Sequence, residues 1–252
     1  RVIRATPSLL ARNLEHQARV ARYRAFADIL KPGDCLALAH HQNDVAETLL
    51  LRLMRGSGTE ALGNMREIQQ RGHYTLWRPL LHCPRTELEQ YAQAHQLDWI
   101  EDGSNADVRF DRNFIRHRIL PDLQQRFPNA AQRLAHSAAL LMADADLLQP
   151  LIAAHVQQCA DGGQLYVAHL RALGPALQAH VIRHWLEQHG CALPASAALT
   201  EFIRQLAVAQ SDDDTQLACA DYALRIWNGR IFLVRDQALA VPAEFDLTWD
   251  GM

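Results

Sequence analysis

Apolar residues along the chain alternate between two rhythms. Asn13–Leu30 carries them at helical spacing, with Arg12, Glu15, Arg19, Arg22 and Phe26 on one face, which predicts a helix. Lys31-Pro32-Gly33-Asp34 has turn chemistry, and the apolar run Cys35-Leu36-Ala37-Leu38-Ala39 after it predicts a short strand. Helical spacing returns at Leu49, Leu50 and Leu53 and runs to the Gly56-Ser57-Gly58 loop. Thr75–Leu80 reads as a strand, Pro84–His95 as a helix with proline at its start, and Leu97–Ile100 as another strand. With Arg1–Arg4 as the end of a preceding strand, this alternation predicts an α/β layer built on a mainly parallel sheet.

From Pro128 the pattern becomes alanine- and leucine-rich. Asn129–Gln158 predicts a long helix broken near Pro150, and Pro175–His189 and Ser196–Ala209 predict two more. Gln164–His169 reads as a strand, and Tyr222–Val234 as a hairpin turning on Asn228-Gly229, a type I′ pair. The expected division is therefore an α/β domain over residues 1–126, a smaller, mainly helical domain with a hairpin over 127–240, and a linker over 241–252.

Composition narrows the class. The 252 residues are 49% hydrophobic and 21% charged, ordinary for a globular chain, and no uninterrupted apolar run approaches bilayer length, so no membrane partner is expected. Five cysteines without a Cys-x-x-Cys pair suggest neither a disulfide framework nor a zinc knuckle, and point to a reducing cytoplasm. The net charge of −3 hides a split: residues 1–126 hold 18 basic against 15 acidic side chains, and residues 127–252 hold 7 against 13. Lys31 is the only lysine, and arginine's planar fork suits phosphate and carboxylate recognition, although genomic composition also enriches arginine.

Candidate chemistry gathers beyond the ends of two predicted strands, where open α/β sheets bind ligands. After the first comes Ala39-His40-His41-Gln42-Asn43-Asp44-Val45-Ala46-Glu47-Thr48. A helix starting near His40 would place His40, Asp44, Glu47, Leu51 and Arg55 on one stripe. Asp44-Val45-Ala46-Glu47 also fits a capping box with Asp44 as the cap, so a structural role stays open beside a functional one. The spacing lacks the His-Glu-x-x-His of zinc peptidases. The second cluster is Trp99–Asn105 followed by Asp111-Arg112-Asn113-Phe114-Ile115-Arg116, in which Arg109, Arg112 and Arg116 form a basic stripe suited to anions. Ion pairing of that stripe to Asp107 and Asp111 is the alternative.

Five segments in series (Glu15–Phe26, Ala39–Gly58, Arg78–Leu81, Trp99–Asn105 and Asp111–Arg116) resemble the successive motifs of the tRNA(Ile)-lysidine synthetases. The resemblance implies a Rossmann-like ATP-pyrophosphatase (PP-loop) domain. It also implies a ligase that adenylates the wobble cytidine of the isoleucine tRNA with a CAU anticodon and then joins L-lysine to it, changing AUG reading to AUA reading. ATP, Mg²⁺, L-lysine and tRNA are the implied cofactors and partners, and a homodimer stays open. His41, Asp44 and Glu47 map onto the catalytic motif, with Asp44 and Glu47 as magnesium candidates; Arg19, Arg22, Arg52, Arg55, Arg112, Asn113 and Arg116 map onto lysine, adenylate or tRNA contacts.

The chain departs from that pattern in several places. It contains no Ser-Gly-Gly-x-Asp-Ser loop, Asn43 stands where the family places the first aspartate of a pair, and His16 where a small residue is common. The expectation is a fragment that does not adenylate cytidine by itself. Two alternatives are a non-catalytic tRNA-binding module and another PP-loop enzyme acting on tRNA.

Overall fold

The computed structural model describes residues 14–235 apart from 64, 101, 162 and 209–214. The expected Arg1–Arg4 strand and the 241–252 linker lie outside the described residues. Two compact units divide at Ala145/Asp146, which is later than the division expected at residue 126.

The first unit opens with α1 (Leu14–Ala27) and β1 (Cys35–Ala37), joined by a turn in which Asp34 accepts the Lys31 N–H at 2.8 Å. α2 (Gln42–Met54) and α3 (Thr59–Gly63) follow, then the hairpin of β2 (Ile68–Arg71) and β3 (Tyr74–Trp77). β1 pairs parallel with β3, and β3 pairs antiparallel with β2, so the described strands give one parallel and one antiparallel pair rather than a mainly parallel sheet. Tyr74 and Leu76 alternate inward from β3 onto Tyr23, Phe26 and Ala27 of α1, as period-two patterning dictates.

α4 (Arg85–Ala94) starts after Pro84 as expected. The predicted strand at Leu97–Ile100 does not form. No described strand pairs with it, and Trp99 and Ile100 are exposed, Ile100 at 98%. β propensity alone does not satisfy backbone groups; a ladder does.

Beyond a 3₁₀ turn at Gly103–Ala106, α5 (Asp111–Phe114) passes through a π turn at Ile115–Ile119 into α6 (Leu120–Arg126). Pro121 has no N–H to offer the His117 carbonyl, and the Leu120 N–H reaches back five residues to Ile115. The wider turn thus falls where the proline interrupts the regular hydrogen-bond ladder.

α7 (Ala130–Cys159) is a single helix. The break expected at Pro150 is absent, although proline cannot donate to the carbonyl four residues back, at Asp146. Ala131, Ala138, Ala145, Ile152 and Cys159 are buried at seven-residue intervals along one face. Among the described residues α7 is the one helix long and apolar enough by composition to cross a membrane, with mean hydropathy 1.3; it reaches that average through alanine and leucine despite Asp144 and Asp146. Its first half packs on α2 and α3 through Val45, Leu49, Leu62, Leu134, Ala135 and Ala138. Gly63 permits that approach, because a Cβ there would lie 2.6 Å from the Met142 backbone nitrogen.

The second unit contains more sheet than its sequence announced. β4 (Ala160–Asp161), β5 (Gln164–Tyr166), α8 (Val167–Arg171), α9 (Pro175–Gln188), α10 (Ser196–Val208), β6 (Gln216–Ala218), β7 (Tyr222–Trp227) and β8 (Arg230–Arg235) form a five-stranded antiparallel sheet, ordered β4-β5-β8-β7-β6, with helices against one face. The β7–β8 hairpin turns on Asn228 and Gly229 at φ +47° and +70°, the left-handed pair of a type I′ turn. Leu165, Leu224, Ile226 and Ile231 point from the sheet into a core with Trp185, Leu186, Phe202 and Leu206.

Candidate active site

α2 begins with His41 as its N-cap, not with His40. Asp44 is therefore the third helical residue, and its Oδ2 accepts the His41 backbone N–H at 2.9 Å. Asp44 is thus the residue that reaches back to the cap, one turn earlier than the expected box with Asp44 as cap and Glu47 reaching back. Glu47 is thereby free to point elsewhere.

It points at Arg112 and Arg116, from α5 and the π turn. Arg112 donates through Nε to Glu47 Oε2 at 2.9 Å and through Nη2 to Asp44 Oδ1 at 2.7 Å. Arg116 donates through Nε to Glu47 Oε1 at 2.7 Å, and through Nη2 to Glu47 Oε2 at 2.9 Å and Asp44 Oδ1 at 3.3 Å. Asp44 is 7% exposed and Glu47 1%. Two buried carboxylates are thus balanced by two guanidiniums, the arrangement in which burying charge is tolerable. Burial alone would raise the Asp44 pKa, but the His41 N–H together with His41, Arg112 and His40 lowers it below the usual carboxylate value. Hydrogen bonding to Glu47 raises Arg116 against its own burial.

The expected magnesium site does not fit this arrangement. A hard divalent cation needs free carboxylate oxygens. Here both Glu47 oxygens and Asp44 Oδ1 face guanidinium donors, while Asp44 Oδ2 faces the His41 N–H. Two resident cations also repel a third. Among the described residues no group of three or more His, Cys, Asp or Glu side chains could hold a metal.

The other candidates divide. His41 sits against the network, its Nε2 3.6 Å from Asp44 Oδ2, with its pKa lowered by burial against the pull of Asp44 and Glu47. Asn113 uses its amide donors on the Ser104 and Asp107 carbonyls at 2.8 and 3.0 Å. It therefore anchors the 103–107 turn to α5 instead of facing a ligand. Arg52 donates to the Ala61 carbonyl, tying α2 to α3, and Arg55 makes a long exposed pair to Asp111 at 3.9 Å. Arg109 pairs locally with Asp107 at 2.7 Å, as the ion-pairing alternative anticipated.

Arg19 and Arg22 belong to a second cluster. With Arg71 they surround the Tyr23 ring, at 5.2, 5.8 and 4.2 Å from its centroid. Nearby Arg78 is buried, donating to the Arg66 carbonyl at 2.6 Å; burial, reinforced by Arg19 and Arg71, lowers its pKa. His40 lies within reach of both clusters' fields: burial first, then Arg78, Arg112 and Arg19, lower its pKa to about 4 against the pull of Asp44. Arg71 and Arg78 were given no role by sequence reasoning. The Arg78-Pro79-Leu80-Leu81 motif was the available signal, but burial of a guanidinium without a carboxylate is a tertiary property.

A strand-end helix with paired carboxylates, locked to arginines from α5 and the π turn, is an α/β-domain type of site. Comparison with known proteins makes the class specific: residues 3–123 match the PP-loop domain and residues 165–232 the TilS substrate binding domain. The chain is homologous to proteins named tRNA(Ile)-lysidine synthase. One from Xanthomonas campestris is 42% identical over 94% of this chain and 55% of its own length. One from Shigella flexneri is 40% identical over 88% of this chain and 52% of its own. The chain thus spans about half the length of the curated relatives it matches.

Proposed function

We propose that this chain carries the lysine-side half of a tRNA(Ile)-lysidine synthase active site. The observation that supports this reading most directly is the convergence of Asp44 and Glu47 with Arg112 and Arg116 across 65 or more residues of sequence. Both partners fall within segments that resemble the family's motifs. The reaction has two steps. Cytidine O2 attacks the α-phosphorus of ATP and releases diphosphate; the lysine ε-amine then attacks C2, loses a proton, and displaces AMP as the C2–O2 bond breaks.

The residues suit the second step through charge. Asp44 and Glu47 form a buried dianionic seat for an ammonium group, held in register by the His41 N–H. In the structure Arg112 and Arg116 neutralise that seat. A lysine ammonium takes the place of one guanidinium there, and the released arginine turns toward an anion such as the adenylate phosphate. Burial keeps His41 at the rim in its neutral form, and its Nδ1, without a hydrogen-bond partner among the described residues, is available to accept a hydrogen bond from the incoming amine. Arg19, Arg22 and Arg71, which form no ion pair among the described residues, suit phosphate oxygens of ATP or tRNA.

The test is ATP-dependent incorporation of labelled lysine into an isoleucine tRNA transcript with a CAU anticodon, using the full-length gene product. Incorporation is expected, with a raised lysine KM in Asp44→Asn. Absence of lysine in the product, with the tRNA otherwise modified or merely bound, would overturn the reading.

A further inference from the structure

Among the described residues, the sheet of the second unit has its helices packed on one face, through Leu165, Leu224, Ile226 and Ile231, and none packed on the other. Cross-strand register places Trp227, Arg230 and Tyr166 in one row of the free face, and Arg225, Phe232 and Gln164 in the next. Trp227 is 68% exposed, and its ring lies 6.0 Å from that of Phe232. The Arg230 guanidinium lies 5.1 Å from the Tyr166 ring centroid and donates to Gln164 Oε1 at 3.0 Å. His169 extends the row, 5.1 Å from Tyr166. Three aromatic rings and two arginines therefore interleave on a surface whose reverse side is apolar core.

Charge selects the ligand. Arg171 donates to the Leu206 carbonyl, Arg183 to Ser196, Arg204 to Glu201 and Arg235 to the His189 carbonyl. Arg225 forms no ion pair or side-chain hydrogen bond among the described residues. The acid on this face, Asp161, accepts the Tyr166 hydroxyl at 2.9 Å at the sheet's far end. An exposed tryptophan beside an unengaged guanidinium suits a ligand with flat π-faces strung on negative charge, and unpaired RNA has both.

We infer that this open sheet face is a stacking platform for unpaired nucleotides of RNA, with Trp227 and Phe232 taking bases and Arg225 and Arg230 taking phosphates. The inference deepens the proposed function, on which its choice of RNA rests, by naming a face within the matched substrate binding domain.

The test is fluorescence anisotropy with the 252-residue chain, using a labelled twelve-nucleotide single-stranded RNA, an RNA duplex of equal length and the CAU isoleucine tRNA transcript. Single-stranded RNA is expected to bind more tightly than duplex. Trp227→Ala should weaken single-strand and tRNA binding roughly tenfold to a hundredfold, while Trp227→Phe stays within about threefold of the parent. Arg225→Gln should reduce the slope of log K against log salt by about 0.7. Melting temperatures of the variants, equal to the parent's, separate loss of binding from loss of fold. The inference is overturned if the parent binds no RNA, if duplex binds as well as single strand, or if Trp227→Ala and Arg225→Gln bind as the parent does. Lysine incorporation by the full-length protein is scored separately. Platform variants that bind tRNA normally in a lysine-incorporating enzyme sink this inference alone, and Trp227-dependent RNA binding without lysine incorporation sinks the proposed function alone.

Discussion

Substituting Arg116 by methionine isolates the energetic logic of the carboxylate–arginine network. The change keeps much of the aliphatic stem and removes three charge-assisted hydrogen bonds, at 2.7, 2.9 and 3.3 Å. Glu47 Oε1 then loses its donor in a residue 1% exposed, while Arg112 still serves Oε2 and Asp44. Breaking a buried ion pair from one side costs about 3–5 kcal/mol, because the partner stays buried with its charge under-compensated; Glu47 keeps Arg112 alone. Against a total stability of roughly 5–15 kcal/mol that is a large fraction. For a chain of this size it lowers the melting temperature by roughly 6–20 °C, at about 2–4 °C per kcal/mol. Thermal unfolding at neutral pH followed by circular dichroism reads the loss, and the double variant Glu47→Leu/Arg116→Met reads its origin. Removing both partners eliminates the stranded charge and should recover most of the stability. A single variant melting within 2 °C of the parent, on the order of 1 kcal/mol or less, would refute the view that the network holds α2 to the 111–119 segment. A double variant no better than the single would show that shape, and not charge, is what Arg116 supplies.

Three further expectations follow from named contacts. His40 has its pKa lowered by burial to about 4 from the 6.5 of an ordinary imidazole; the unfolded chain binds its proton first as pH falls, so His40 contributes stability that is present above about 6.5 and lost on the way down to 4. Urea unfolding should show that decline, about 1–3 kcal/mol in all, and His40→Gln should flatten it; an unchanged profile in the variant argues against a buried neutral imidazole. Gly63→Ala places a Cβ 2.6 Å from the Met142 backbone nitrogen, where no side chain can give way, and should cost about 1–3 kcal/mol in a melt; a neutral effect would mean that α3 and α7 separate freely. Gly229→Ala puts a Cβ at φ +70° in the hairpin turn, for about 1 kcal/mol of destabilisation, and a stabilised variant would contradict the type I′ assignment.

Legibility differed by residue. Helical periodicity located α1, α2, α4, α9 and α10 to within a few residues, because the pattern that buries one face of a helix repeats within a single turn. The Asn228-Gly229 turn was equally plain, since a type I′ hairpin demands two left-handed residues. β4 and β6, two and three residues long, carry too few positions to show alternation. Leu97–Ile100 shows the converse, a strand-like run with no described ladder to join.

At the candidate site, sequence alone named the available groups, Asp44 and Glu47 on a helix beyond the end of β1 and Arg112 and Arg116 four residues apart, although the run expected to be a strand before that second pair, Leu97–Ile100, forms none. Tertiary structure decided how those groups pair. Asp44 caps His41 instead of serving as the cap, Glu47 turns to two guanidiniums far along the chain, and Asn113 is occupied by backbone carbonyls. It likewise brought Tyr166, Arg225, Trp227, Arg230 and Phe232 onto one face from three strands. The physical reason is range. Periodicity and turn chemistry are satisfied within a few residues, whereas a buried charge is stable only beside its counter-charge, and which one it meets is settled by packing of the whole domain.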